Sequence, residues 1–227
     1  DDRLVLFDMS NGKLKLLDKS FQCISSLKIY NPRHICRVDH CTVAVTWGII
    51  INLVSVGNTL TQLRSIYVGR QCLGIASYQQ NIIVNIQGHS LLTYDTSDEI
   101  ISEIESYDHL SSECNMHCVS QDGQNIYYTT RNLMVTMDMK GNKLNTFESN
   151  DLQGAFGVTV DKNGIIYCCG SNSKTVIQVT PEGRQLGVLL SRNDALGNPF
   201  GLCLNDRNDT ILVFEGRSNY VKVFRLM

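Results

Sequence analysis

The chain has 227 residues, 43% of them hydrophobic and 19% charged, with a formal net charge of −2, three prolines and nine cysteines. That balance describes a globular body, argues against a domain built on bulk basic charge, and leaves no apolar run long enough to cross a bilayer. The first residues carry no basic and apolar leader, and a start at Asp1 reads as a chain cut from something larger.

Short β-type runs bounded by turn residues follow one another from end to end. Residues 4–7, 14–17 and 24–30 read as three strands with no inner strand before them. Four fuller sets follow: 36–38, 43–46, 49–54 and 60–68; 75–77, 82–85, 91–94 and 100–104; 118–120, 126–129, 133–137 and 144–147; 156–161, 165–169, 175–179 and 185–190. Residues 199–226 supply an inner strand and two more.

One block recurs roughly every 40 residues along this series, a spacing that fits a four-stranded propeller blade and exceeds a leucine-rich repeat. Gly74, His117, Gly157 and Gly201 each follow a bulky apolar residue, namely Leu73, Met116, Phe156 and Phe200, and Ile35 is a fifth, weaker instance. The two incomplete ends count as two blades beside four complete repeats. The expectation is therefore an all-β, six-bladed β-propeller with four-stranded antiparallel blades and terminal blades shared between the N- and C-terminal segments. Blade repeats fall near 1–30, 32–68, 71–106, 115–149, 154–191 and 198–227 of a single domain spanning 1–227.

The cysteines follow no framework. Their number is odd, no pair has C-x-x-C spacing, and Cys36, Cys72, Cys118, Cys168, Cys169 and Cys203 fall in expected strands. Free thiols buried as small apolar groups in a reducing compartment, the cytoplasm, are the expectation.

Two stretches carry a family resemblance: Phe156-Gly-Val-Thr-Val-Asp161 through Ile177-Gln-Val179, and Pro199-Phe-Gly-Leu-Cys203 through Asn219-Tyr-Val-Lys-Val-Phe224. Both resemble NHL repeats, whose pattern runs P-x-G-[VI]-x-[VL]-D, a glycine turn, [IL]-Y-V-A-D and N-N-R-[IV]-x-V-F. The whole chain is similar to the C-terminal propeller of TRIM-NHL (tripartite-motif) proteins, in particular divergent invertebrate members. The resemblance implies a parent ubiquitin ligase whose propeller selects targets. The pattern's second-strand Asp is replaced by Gly170 in one repeat and Glu215 in the other, and its Arg by Thr175 and Tyr220, so the contacts that lock the blades differ here.

In such a ring the loops between second and third strands and those between blades open on one face. These loops hold Arg33, Arg70, Arg131, Lys174 and Arg217, interleaved with Trp47 and His89, while Asp39, Asp98, Asp122, Asp138 and Asp161 collect on the other. Arginines with aromatic anchors suit a protein partner, and the same mixture suits phosphates and unstacked bases of single-stranded or stem-loop RNA. Starts of the inner strands, where an axial hydrolase or lyase would gather its acids, offer only His34 and His117. The sequence thus predicts a noncatalytic, monomeric recognition domain, with a protein partner first, RNA second and an axial-site enzyme a distant third. No metal, cofactor or membrane is expected.

Overall fold

The computed structural model describes residues 3–8, 10–87, 90–105, 114–216 and 220–226. Their contacts divide at residue 105 into two compact units, 1–105 and 106–227. The first unit holds three sheets: β1 (Leu4–Asp8), β2 (Lys13–Leu17) and β3 (Cys23–Lys28); β4 (Ile35–Arg37), β5 (Thr42–Trp47), β6 (Ile50–Val56) and β7 (Leu60–Tyr67); β8 (Cys72–Tyr78), β9 (Asn81–Ile86), β10 (Ser90–Tyr94) and β11 (Ile100–Glu105). The second unit holds three more: β12 (Cys114–Val119), β13 (Asn125–Thr130), β14 (Leu133–Asp138) and β15 (Lys143–Glu148); β16 (Ala155–Val160), β17 (Ile166–Gly170), β18 (Thr175–Val179) and β19 (Gln185–Leu190); β20 (Pro199–Leu204), β21 (Thr210–Glu215) and β22 (Val221–Arg225). Every sheet is a meander of sequential antiparallel strands, and the fold is a six-bladed β-propeller.

The terminal blades depart from expectation in one respect. Each three-stranded end sheet draws all its described strands from its own end of the chain, β1 to β3 in one and β20 to β22 in the other. Antiparallel pairing of sequential strands closes each locally, with Leu4↔Leu17 through Asp8↔Lys13 in register at one end and Thr210↔Arg225 through Phe214↔Val221 at the other.

Burial follows from stacking sheet on sheet. The middle strands β9 and β10 are buried on both faces, whereas the outer strands β11 and β15 alternate between exposed and covered. Ala44, Ile51 and Leu53 of the second sheet interdigitate with Ile75, Val84 and Ile86 of the third. In the second unit, Val158, Ile166, Cys168 and Ile177 pack with Tyr127 and Met134, and on their other side Tyr167, Cys169 and Val176 pack with Ile211 and Val213.

The recurring block has a structural meaning. In β8, β12, β16 and β20 the register with the second strand slips between Cys72 and Gly74, Cys114 and His117, Ala155 and Val158, and Pro199 and Gly201. Each bulky residue before the Gly or His lies inside a β-bulge, which bends the inner strand. In the weakest instance, β4, Ile35 pairs Val45 and the register runs without a slip.

Asp138 and Asp161, two of the acids expected on one face, are used by their own turns, as are Asp18 and Asp95. Each of the four accepts backbone N–H groups two and four residues on through one carboxylate oxygen, at 2.8 to 3.0 Å. Asx turns of this kind explain why aspartate stands where a strand must reverse.

Candidate recognition surfaces

In the first unit the strand-end hydrogen bonds gather three of the predicted residues. Arg33 N–H donates to Thr46 O at 2.9 Å, beside Trp47 at the end of β5. Gly48, which turns the chain after Trp47 with φ +55°, accepts Cys72 N–H at 2.7 Å and the Gln71 side-chain amide at 3.3 Å, so the Arg70 segment adjoins the same turn. Trp47 is 36% exposed and its ring lies 6.1 Å from that of Tyr30, itself 62% exposed and capped by Lys28 Nζ at 5.0 Å. Ring and ammonium placed in this way attract through the ring quadrupole. Arg70, one of the expected loop cations, is paired, its Nη2 3.0 Å from Glu103 Oε1, because β11 places Glu103 opposite the loop after β7. Tyr30 and Lys28 were missed by sequence reasoning, since both lie at the end of an outer strand where the pattern predicted only β structure.

A groove of about 600 Å³ in the same unit is lined by Ser65, Tyr67, Tyr94, Asp98 and Ile100. Tyr67 is exposed above it, and the bidentate Arg64–Asp98 pair, at 2.7 and 2.8 Å, joins the second and third sheets alongside.

The second unit brings together the other two described cations. Arg131, at φ +47°, accepts Ala155 N–H on its carbonyl, Asn132 Oδ1 accepts Gly154 N–H at 2.8 Å, and Gly154 O accepts Ser171 N–H at 2.8 Å. Lys174, at φ +61°, closes the same 170–174 turn by donating its N–H to Gly170 O at 2.8 Å. Left-handed geometry at non-glycine residues fixes both where the turns require it. Next to them Phe156 stacks on Phe200 with ring centroids 3.9 Å apart, and Phe200 is half exposed. Of the remaining predicted residues, His89 and Arg217 lie outside the described residues.

The two departures from the NHL pattern are replaced by different clamps. At Gly170, Ser173 Oγ accepts Gln153 N–H at 3.1 Å and donates to Asp151 O at 3.1 Å, tying the turn to the connector before β16. In the sixth sheet Glu215 accepts Gly197 N–H at 2.6 Å and pairs with Lys222 at 2.9 Å, tying β21 to the connector before β20. Burial pushes the Glu215 carboxyl up, but those two partners hold it below the usual carboxylate range.

His34 is partly buried beside β5 and His117 is buried within β12. Among the described residues, neither belongs to a group of three metal-ligating side chains; the one such group is Asp39, His40 and Cys41, in the turn joining β4 to β5. No helix among the described residues is long and apolar enough to span a membrane.

Comparison with known proteins supports the fold. No family model matches the chain, and no curated protein matches it by sequence. Among solved structures it is similar to a protein of unknown function from Bacteroides caccae, with a TM-score of 0.75 and 13% identity over 96% of this chain and 84% of that one. It is also similar to virginiamycin B lyase from Staphylococcus aureus, with a TM-score of 0.69 and 10% identity over 99% and 80% of the two chains. A protein from Desulfotomaculum acetoxidans aligns over 100% of this chain and 76% of its own, with a TM-score of 0.72 and 11% identity. Likeness at this identity concerns the propeller architecture.

Proposed function

We propose that this propeller is a noncatalytic recognition domain that binds a protein partner, with its anchor on the first unit at Trp47 and Tyr30. The observation that carries the reading is the pair itself: two large amphipathic rings at strand ends, half open to solvent, flanked by Lys28 and the Arg33 segment. Such rings supply contact area at low entropic cost, and tryptophan, tyrosine and arginine dominate binding hot spots. The resemblance to TRIM-NHL propellers suggests the setting, selection of targets for a cytoplasmic ubiquitin ligase. The lyase likeness is one of fold.

The test is quantitative capture from a nuclease-treated lysate by the wild-type domain, Trp47→Ala, Arg33→Glu and Arg131→Glu. A bound protein whose affinity falls about 30-fold with Trp47→Ala, an anchor loss of about 2 kcal/mol, supports the assignment. A ligand lost on nuclease treatment, with binding that weakens steeply as salt rises, would instead identify RNA and refute the protein reading.

A further inference from the structure

The turn between β4 and β5 concentrates three metal-ligating side chains in three consecutive residues. Asp39, His40 and Cys41 place a carboxylate oxygen, an imidazole nitrogen and a thiol sulfur all within 4.8 Å of one another. The backbone around them is held on both sides: Val38 N–H donates to Thr42 O at 2.9 Å, and Cys41 O accepts Val56 N–H at 2.7 Å. Asp39 Oδ1 accepts Cys41 N–H at 2.7 Å, which orients the carboxylate beside the Cys41 and Thr42 side chains that also hydrogen-bond to it. Arg37 Nε donates to the Asp39 carbonyl at 3.0 Å rather than to its carboxylate.

We propose that this turn is a binding site for a borderline-soft divalent cation, Zn²⁺, held by Asp39, His40 and Cys41. The donor set selects the ion: thiolate, imidazole and carboxylate together suit zinc, whereas calcium and magnesium take oxygen ligands. Zinc bonds of about 2.0 to 2.3 Å in a tetrahedron put donor atoms roughly 3.5 Å apart, so the three must close by at most about 1.3 Å, within reach of side-chain rotation on an exposed turn. Other aspartate turns in this chain lack the second and third donors: the residues after Asp18, Asp95, Asp138 and Asp161 are Lys19-Ser20, Thr96-Ser97, Met139-Lys140 and Lys162-Asn163. On binding, Cys41 Sγ gives up its proton to solvent and becomes the thiolate ligand. The fourth tetrahedral position stays open to water or to a donor from a partner.

The experiment titrates the intact chain with Co²⁺ as a spectroscopic stand-in, followed by displacement with Zn²⁺. It uses a Cys23→Ser, Cys203→Ser background to remove the cysteines that are exposed among the described residues. The expected result is a thiolate-to-cobalt charge-transfer band that Zn²⁺ displaces, abolished by Cys41→Ser and weakened in affinity by His40→Ala. Outer-shell partners alone are worth about 10 to 100-fold in metal affinity, so loss of the imidazole ligand should cost at least that. Asp39→Asn retains an oxygen that can accept the Cys41 N–H, so it keeps the turn while removing the anionic ligand, and it should also weaken the band. Unchanged far-UV circular dichroism of each variant excludes misfolding as the cause. Absence of the band, or a band that survives both Cys41→Ser and His40→Ala, overturns the site.

Discussion

Gly157 is the position where the bulge geometry makes the sharpest demand, and Gly157→Ala tests it. A Cβ built there would lie 2.9 Å from Gly201 Cα, 3.0 Å from Leu202 N and 3.0 Å from Cys169 Sγ. Two of the three obstacles are backbone of β20, which cannot rotate away, so β16 and β20 must separate. Overpacking of this kind costs about 1 to 3 kcal/mol, offset by about 0.4 to 1 kcal/mol from the reduced freedom of alanine in the unfolded chain. A net loss of about 1 to 2 kcal/mol corresponds to a fall in Tm of roughly 2 to 8 °C for a chain of this size. Two glycines serve as controls. Gly187, in β19, would meet nothing within 4 Å, and Gly201 would meet only Phe214, at 3.6 Å or beyond, so Ala at either should be neutral or slightly stabilising. Urea and thermal unfolding followed by far-UV circular dichroism decide the matter. A Gly157→Ala protein as stable as wild type, or a Gly187→Ala protein equally damaged, refutes the claim that close strand approach fixes glycine there.

Native-state alkylation should modify exposed Cys23 and Cys203 first, and Cys72, Cys168 and Cys169 only after unfolding, because burial pushes the Cys72 thiol up to about 11, that of Cys169 up to about 12 and that of Cys168 well above the usual thiol range. Mass spectrometry of the labelled peptides checks the order, and early labelling of Cys168 contradicts it. Asp8 is hydrogen-bonded by Lys15 and Asn11, which hold its carboxyl down to about 2. A folded-state pKa below the unfolded one contributes stability above about pH 4 that is lost as pH falls toward 2. After screening of this partly exposed pair the contribution is about 1 kcal/mol, and Asp8→Asn should lower stability at pH 6 while leaving it nearly unchanged at pH 2.

Strand count and blade order were legible because alternation and turn residues repeat at a fixed spacing, and the fifth repeat is found almost residue for residue, with 156–161 expected against Ala155–Val160 observed. The bulges were not legible, since an inserted residue breaks the period of two on which strand reading depends. The signal was nevertheless present: the bulky residue before each Gly or His is the inserted one. Cys203 fell in an expected strand and was read as a core thiol, yet the structure exposes it on β20. Arg33 and Trp47 lie beside one another at a strand end, as their loop positions led the sequence to expect, whereas the Arg70 pairing needed the position of Glu103, set only by tertiary structure. Asp39-His40-Cys41 escaped a search for spaced metal motifs because its three donors are adjacent in sequence.

The register facing the bulge glycines shows one further conflict between sequence and packing. Opposite Gly201 stands Phe214, opposite His117 stands Tyr128, and Cys169 accepts the Gly157 N–H on its sulfur at 3.1 Å. Opposite Gly74 stands Asn85, only 1% exposed, and among the described residues its Nδ2 has no hydrogen-bond partner. A buried amide donor left unmatched costs about 1 to 3 kcal/mol, whereas an apolar group of the same shape does not carry that cost. Asn85→Leu, alike in branching though larger, and matching the apolar choice of the neighbouring blades, should therefore raise stability, by about 1 kcal/mol once the cost of fitting the extra volume is subtracted. Asn85→Asp, which buries a charge at the same place, should lower it by several times that. Equilibrium unfolding in urea at neutral pH separates the two. A leucine variant less stable than wild type would mean that the amide is satisfied by a bound water or ligand, and the position would then join the recognition chemistry rather than the core.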